Sequence, residues 1–418
     1  MGFEQGLSGL EATSQNLAVI GNNVANSSTV GFKGSEVLFA DVYANSLSGA
    51  GATQVGIGVK VASVEQQFTQ GNITTSNNPL DIAINGGGFY QMSHGGTITY
   101  SRNGQFQLDK SGFITNSNGD RLQGYSANAA GVLQSGSTTD LQINTANIAP
   151  AATTTVKAVL NLDATEKIPA TTPFVATDPT SYNNASSATI FDSLGDKHLL
   201  QTYYVNTGTA GGASGTEATW DVYSSLDGTP VAGAGAAGQI GTLTFTSAGA
   251  VDTTATTLPF TMALAVTTGA TTPVNVNLDF TGTTQYGAAF AASVIPDGFT
   301  SGQLSGFSAS PNGTIVGSYT NGQSATLGQI SLANFTDPNG LQSLGDNEWA
   351  ATATSGVAQV GVPGTETLGV LRSSATEDSN VDLTSQLVNM ITAQEDYQAN
   401  AQTIKTEDTL LQTLVSLR

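Results

Sequence analysis

The chain has 418 residues, 39% hydrophobic and 10% charged, with 49 glycines and a formal net charge of -20 from 31 acids and 11 bases. That length predicts several small cores rather than one, and the acid excess repels phosphate backbones, which excludes nucleic acid as a partner. The absence of cysteine excludes disulfides, thiolate metal sites and thiol nucleophiles.

From the N-terminus, Phe3, Leu10, Leu17 and Val24 recur every seven residues, with Leu7 and Ile20 on nearly the same side. This spacing predicts an amphipathic helix of about six turns. Its end is expected near Ala25, because Asn22 to Thr29 and then Gly31 supply turn conformations a helix cannot continue. No Lys or Arg precedes Lys33 and no continuous apolar run is present, so a cleavable signal is not expected. No stretch reaches the ~20 apolar residues of a membrane span, and membrane insertion is not expected either. These features suit a soluble protein, cytoplasmic or exported by a route that leaves its N-terminus uncut. The glycine-rich segment Ser48 to Gly58 is expected as a flexible connector between this helix and the β-structure.

Beyond it, short β-branched and aromatic runs alternate with Asn-Gly, Asp-Gly and Gly-Gly pairs, which predicts antiparallel β-structure. The runs include Leu80 to Ile84, Thr97 to Tyr100 with a turn at Asn103-Gly104, and Gly112 to Thr115 before Asn118-Gly119. Residues 150–295 are richer in Ala, Thr and Gly and form a separate outer β-domain, with strands at Gln201 to Val205 and Val274 to Phe280. Turn-rich strands resume over 296–371, for example Gly328 to Leu332 and Glu348 to Ala351. A second helix is predicted where Leu383, Met390, Tyr397, Ile404 and Leu411 recur every seven residues, widened by Leu387, Ala401, Leu414 and Val415; it runs about eight turns. Asn380 or Asp382 is placed to cap it. Two amphipathic helices flanking β-structure must bury their stripes against each other or against neighbours.

The expected fold is therefore mainly β and multi-domain, with terminal α-helices pairing as a coiled-coil core and nested antiparallel β-domains outside. The divisions are 1–35 with 378–418 as helical core, 36–71 with 372–377 as linker, 72–149 with 296–371 as inner β-domain, and 150–295 as outer β-domain.

The stretch Asn16 to Asn26, followed by Thr29-Val-Gly-Phe-Lys33, resembles the N-terminal signature of the flagellar axial proteins, the family that builds rod, hook and hook–filament junction. Its signature positions here are Asn22, Asn23, Ala25, Asn26, Gly31, Phe32 and Lys33. Ser379 to Leu383, Met390-Ile391, Tyr397 to Thr406 and Leu414 to Arg418 look like the matching C-terminal end of hook members. Leu80 to Ile84 with Gly88-Phe89, Tyr100 to Gly104, Leu122 to Tyr125 and Leu327 to Phe335 are further matches. Residues 206–290 carry few family motifs, but the presence of this insert favours hook over distal rod. The resemblance implies a helical homopolymer whose inner wall is made of terminal coiled coils, forming a flexible curved tube that transmits torque. It also implies export through the flagellar type III apparatus and contact with hook cap, distal rod and hook–filament junction proteins. Distal rod or junction protein and secreted adhesin are the alternatives weighed. Free subunits are expected to order their terminal helices only on docking.

Enzyme-like signals are thin, and neither catalytic residues nor a cofactor nor a metal are expected. Gly233 to Gly238 fits G-x-G-x-x-G but is followed by a strand-like run, where a dinucleotide site needs a helix. His94 and His198 read as turn or strand-edge residues, and Asp109, Asp120, Asp337 and Asp346 as turn residues. No Ser/His/Asp elbow or His-Glu metal motif is visible.

Overall fold

A computed structural model of the chain describes residues 2–43, 56–128, 131–212, 215–231 and 238–416. Two compact units emerge: residues 1–145, 305–318 and 324–418 form the first, and residues 146–304 and 319–323 the second.

In the first unit, α1 spans Gly2–Ala25 and α2 spans Leu383–Ser416. The stop after Ala25 falls inside the polar run Asn22 to Thr29, and Gly31 takes φ 72°, a backbone state that favours glycine. Asp382 caps α2, its Oδ1 accepting from the backbone N–H of Thr384 at 2.8 Å and Ser385 at 3.1 Å. Asn380 is not the cap; its amide is spent on Gly34 N and Gln67 O.

The stretch expected as linker holds structure of its own. Strand Ser35–Val42 pairs antiparallel with Gly58–Gln66, so Gly58, the last residue of the expected connector, opens a strand. Residues 48–55 lie outside the described residues. The hairpin base seats on α1: Gln5 Nε2 donates to Gly56 O at 2.6 Å, and Val59 N to Ser8 Oγ at 3.3 Å. Gly58, at φ 136°, is required there because a Cβ would come within 2.2 Å of Ser8 Oγ.

Two short ladders then bring distant parts of the sequence together. Ile73–Thr75 pairs with Ala375–Glu377, and Ile82–Asn85 with Val370–Ser373. A larger antiparallel sheet runs in the order Thr314–Tyr319, Ser324–Ile330, Arg121–Ser126, Phe89–His94, Thr97–Ser101, Glu348–Ala350, Gln342–Gly345. Its aromatic core sets Tyr100 edge-on to Phe335 with centroids 4.7 Å apart and Phe89 on Trp349 at 5.7 Å. The hairpin turn preceding Thr97 is Gly95-Gly96, at φ 57° and 95°. Asn103-Gly104, expected as the turn after Tyr100, instead lets two chain segments touch. Ile82 N donates to Gly104 O at 2.9 Å, and a Cβ at 104 would meet Ile82 O at 1.8 Å.

The second unit faces two five-stranded sheets across one core. One sheet contains Asn184–Phe191, Lys197–Gly212, Gly215–Leu226, Thr229–Pro230 and Gln239–Phe245; the other Phe260–Leu264, Val274–Asp279, Thr155–Asp163, Thr284–Tyr286 and Ala291–Pro296. The antiparallel expectation fails at two ladders. Thr155–Asp163 runs parallel to Val274–Asp279 and to Thr284–Tyr286, since alternation fixes which face a residue takes but not strand direction. Asp227-Gly228, at φ 49° and 82°, makes the tight turn the dipeptide predicts. Of the glycine-rich Gly233 to Gly238, residues 233–237 lie outside the described residues, and strand Gln239–Phe245 follows.

Trp220, fully buried among Val222, Leu243, Phe260 and Phe280, anchors that core. Trp220→Ala is expected to destabilise the second unit by about 3–5 kcal/mol, from lost transfer energy plus a cavity. The midpoint and slope of urea denaturation followed by circular dichroism would measure it.

Candidate assembly interface

Helices α1 and α2 lie antiparallel. A Cβ on Gly6 would meet Ile404 Cγ1 at 2.9 Å and one on Gly9 would meet Asn400 Oδ1 at 2.8 Å, while Asn23 Nδ2 reaches Gln386 Oε1 at 3.5 Å. Partner numbers in α2 fall as those in α1 rise. The face of α1 turned inward is Gly6, Gly9, Thr13, Asn16, Ile20 and Asn23, a three-four spacing. From α2 come Gln386, Met390, Ala393, Asn400 and Ile404, of which Ala393 is buried and the others half-buried. Glycine costs about 1 kcal/mol relative to alanine inside a helix; at Gly6 and Gly9 the return is close approach of the two backbones.

Only part of the apolar stripes visible in the sequence enters this seam. Ile20 alone among the six positions in α1 is buried, Leu10, Leu17 and Val24 are half-buried, and Phe3 and Leu7 are 46% and 49% exposed. In α2, Met390 and Ile404 turn toward α1. Leu383, Leu387, Tyr397, Leu411 and Val415 remain exposed, joined by Val388, Ile391 and Leu410. The side chain of Leu414 lies outside the described set. Exposed apolar stripes of this kind mark surfaces that meet a partner.

The signature residues at the end of α1 bond to nearby backbone, and Gly31 and Lys33 beyond it reach the segment before α2. Buried Asn23 acts as a two-pronged brace, donating to Ser35 O at 2.8 Å and accepting from Ser35 N at 2.9 Å. Asn26 Nδ2 bonds Asn22 O at 3.0 Å, while Asn22 and Ala25 remain on the surface and Phe32 is half-buried. Gly31 N donates to Glu377 O at 2.8 Å, and a Cβ there would strike Asn103 N at 2.8 Å.

Lys33 is fully buried, its Nζ 2.7 Å from Glu377 Oε1 and 2.8 Å from Thr69 O. Arg102 completes the triad, with Nη1 3.3 Å from Glu377 Oε2 and Nη2 donating to Gly86 O at 2.9 Å. Gly71 N donates to the same carboxylate at 2.9 Å. Two cations thus share one carboxylate. Burial holds the Lys33 ammonium and the Arg102 guanidinium below their ordinary pKa values, opposed by Glu377. Glu377 and Arg102 are the functional residues that sequence reasoning missed. Both bases sit inside motifs of turn and apolar residues, in a chain with only 11 bases, and that was the available signal; nothing local pairs them with residue 377.

Neither histidine is a simple edge residue. His94 is exposed but its Nδ1 meets buried Asp120, and His198 is buried between Asp227 and Asp192. Asp120 belongs to a buried network in which Asn116 Nδ2 bridges Asp120 Oδ2 at 2.9 Å and Glu348 Oε1 at 2.8 Å. Burial raises the Glu348 carboxyl, reinforced by neighbouring Asp120. Among the described residues, no group of three or more His, Cys, Asp or Glu could hold a metal, and no helix is long and apolar enough to cross a membrane.

In the first unit the segments that follow α1 and precede α2 are thus joined through one buried ion triad. Four family models match along the chain: flagella basal body rod protein at residues 3–33, flagellar hook protein FlgE/F/G D1 domain at 83–158, flagellar basal body protein FlaE D2 domain at 161–299, and flagellar basal body rod FlgEFG protein C-terminal at 372–417. The chain is 41% identical to flagellar hook protein FlgE of Escherichia coli, with all of both chains covered. It is 32% identical to that of Treponema pallidum, over 99% of this chain and 98% of the relative. The crystal structure of Helicobacter pylori flagellar hook protein FlgE2 shares its fold at TM-score 0.54 and 14% identity, covering 73% of this chain and all of the other. The chain belongs to the flagellar hook protein family and is a structural component of the bacterial flagellum.

Proposed function

We propose that the chain polymerises with copies of itself into the hook tube through the outward stripes of its paired terminal helices. The supporting observation is the exposure of Leu387, Val388 and Ile391, between 45% and 58%. One heterologous contact repeated without closure yields a filament rather than a ring. Ordering these helices costs about 1–2 kcal/mol of backbone entropy per residue, a cost that burial against several neighbours offsets, so they form fully only in the polymer. Bending then falls to β-surfaces rich in Thr, Ser, Asn and Gly, where water-mediated polar contacts exchange at little net cost, while the helices carry torsion. Hook cap, distal rod and junction proteins are the further partners, reached after type III export. The role is structural and not enzymatic, with no cofactor.

Negative-stain electron microscopy of the concentrated chain tests this. Tubes are expected from the full chain and none from a chain lacking residues 1–30 and 380–418. Leu387→Glu with Ile391→Glu is expected to abolish tubes while leaving the β-sheet circular dichroism intact. Tubes from the truncated chain would place assembly in the β-units instead.

A further inference from the structure

His198 is the second residue of strand Lys197–Gly212, and both its ring nitrogens face carboxylates. Nδ1 lies 2.7 Å from Asp227 Oδ2 and Nε2 lies 3.4 Å from Asp192 Oδ2. An imidazole with one proton satisfies only one such pair, because its bare nitrogen would point a lone pair at an anion; the imidazolium satisfies both.

The carboxylates are themselves held. Asp192 follows strand Asn184–Phe191 of one sheet and is fully buried; its Oδ1 accepts from the backbone N–H of Leu194 and Asp196, each at 2.9 Å. Its Oδ2 accepts from Thr268 Oγ at 2.5 Å, and Thr268 lies between strands Phe260–Leu264 and Val274–Asp279 of the facing sheet. Beside it Thr271 N donates to Ser193 Oγ at 2.9 Å. Asp227, in the turn after Gly215–Leu226, accepts from Leu199 N at 2.8 Å. Asp196 and Lys197, the charged residues just before His198 in sequence, are both exposed. The segment around Thr268 brings hydroxyls and amides but no titratable group.

We infer that the second unit carries a charged latch, Asp192–His198–Asp227, which joins two turns of one sheet to the facing sheet while His198 is an imidazolium and slackens when that proton leaves. Deprotonation releases the proton to solvent, unpairs one ring nitrogen and leaves buried Asp192 without its cation.

The titration behaviour agrees. Burial alone would lower the His198 value, but its bonds to Asp227 and Asp192 outweigh this and raise it above the ordinary value. Burial would raise Asp192, yet Thr268, the backbone N–H groups of Asp196 and Leu194, and His198 bring it down to about 2. A raised histidine contributes stability that is complete below ~6.5 and lost as pH climbs through the folded value; the depressed aspartates contribute above ~3.9 and lose it as pH falls. The latch is closed between these limits and opens on the alkaline side.

The full chain tests this, because it has two histidines and two tryptophans, one of each residue type in each unit. Proton NMR, with His94→Gln used for assignment, should show His198 titrating above ~6.5. In a Trp349→Phe background, where Trp220 reports the second unit, the thermal midpoint should fall by about 2–4 °C or more from pH 6 to pH 9. His198→Gln should flatten that dependence. Should His198→Gln fail to fold, Asp227→Asn, at the exposed side of the latch, should lower the His198 midpoint and shrink the alkaline loss. A His198 midpoint at or below ~6.5, or an equal alkaline loss in His198→Gln, would overturn the latch.

Discussion

Glu377→Gln should destabilise the first unit by about 3–5 kcal/mol, the cost of leaving buried charge without its partner. The carboxylate is 1% exposed and is the acid shared by Lys33 and Arg102. With glutamine in its place, two cations remain buried side by side, and the backbone N–H of Gly71 loses a charged acceptor. The residue also stands at the end of the ladder that pairs Ala375–Glu377 with Ile73–Thr75, so the damage reaches the junction of the chain's two ends. Urea denaturation at pH 7, followed through Trp349 fluorescence in a Trp220→Phe background, would measure it. A loss under about 1 kcal/mol, the scale of an exposed pair, would mean that the triad is dispensable for stability.

Gly9→Leu should raise the concentration needed for polymerisation tenfold or more while leaving the second unit untouched. Leucine favours a helix over glycine by nearly 1 kcal/mol, so α1 taken alone gains. The loss must therefore come from the seam, where a Cβ would lie 2.8 Å from Asn400 Oδ1 and 2.9 Å from its Cγ and Nδ2. Overpacking of this kind costs about 1–3 kcal/mol, and every 1.4 kcal/mol is tenfold in an equilibrium constant. Gly21→Ala is the control, because nothing lies within 4 Å of a Cβ there; it should polymerise at least as well as the parent. Sedimentation of polymer across a concentration series separates the two, and equal critical concentrations for Gly9→Leu and Gly21→Ala would remove the seam from the account of assembly.

The seam explains why the heptad pattern misleads about pairing. Large apolar residues at 3, 10, 17 and 24 draw the eye, yet the helices meet where Gly6 faces Ile404, Gly9 faces Asn400 and Asn23 faces Gln386. Small and amide side chains let backbones come close, and they are silent in a hydrophobicity pattern. Strand direction was equally hidden: Thr155–Asp163 alternates buried and exposed residues faithfully, and alternation is the same whether a neighbour runs parallel or antiparallel. Of the connector expected over Ser48 to Gly58, residues 48–55 lie outside the described residues. Glycine content predicts freedom of the backbone, but Gly58 is glycine because Ser8 leaves no room for a Cβ.

Local chemistry was written in the residues themselves. Periodicity and an Asn-rich stop determined where α1 runs and ends, Asp382 determined where α2 begins, and Asp227-Gly228 determined a tight turn, because each depends on groups within a few positions of one another. The terminal motifs likewise sufficed to indicate the family. What only the tertiary structure decided involves residues hundreds of positions apart: that Glu377 neutralises Lys33 and Arg102, and which face of each helix is spent on its partner. Such pairings follow from chain closure, in which burial makes a lone charge or an unfilled hydrogen bond costly, and no window of local sequence contains both members.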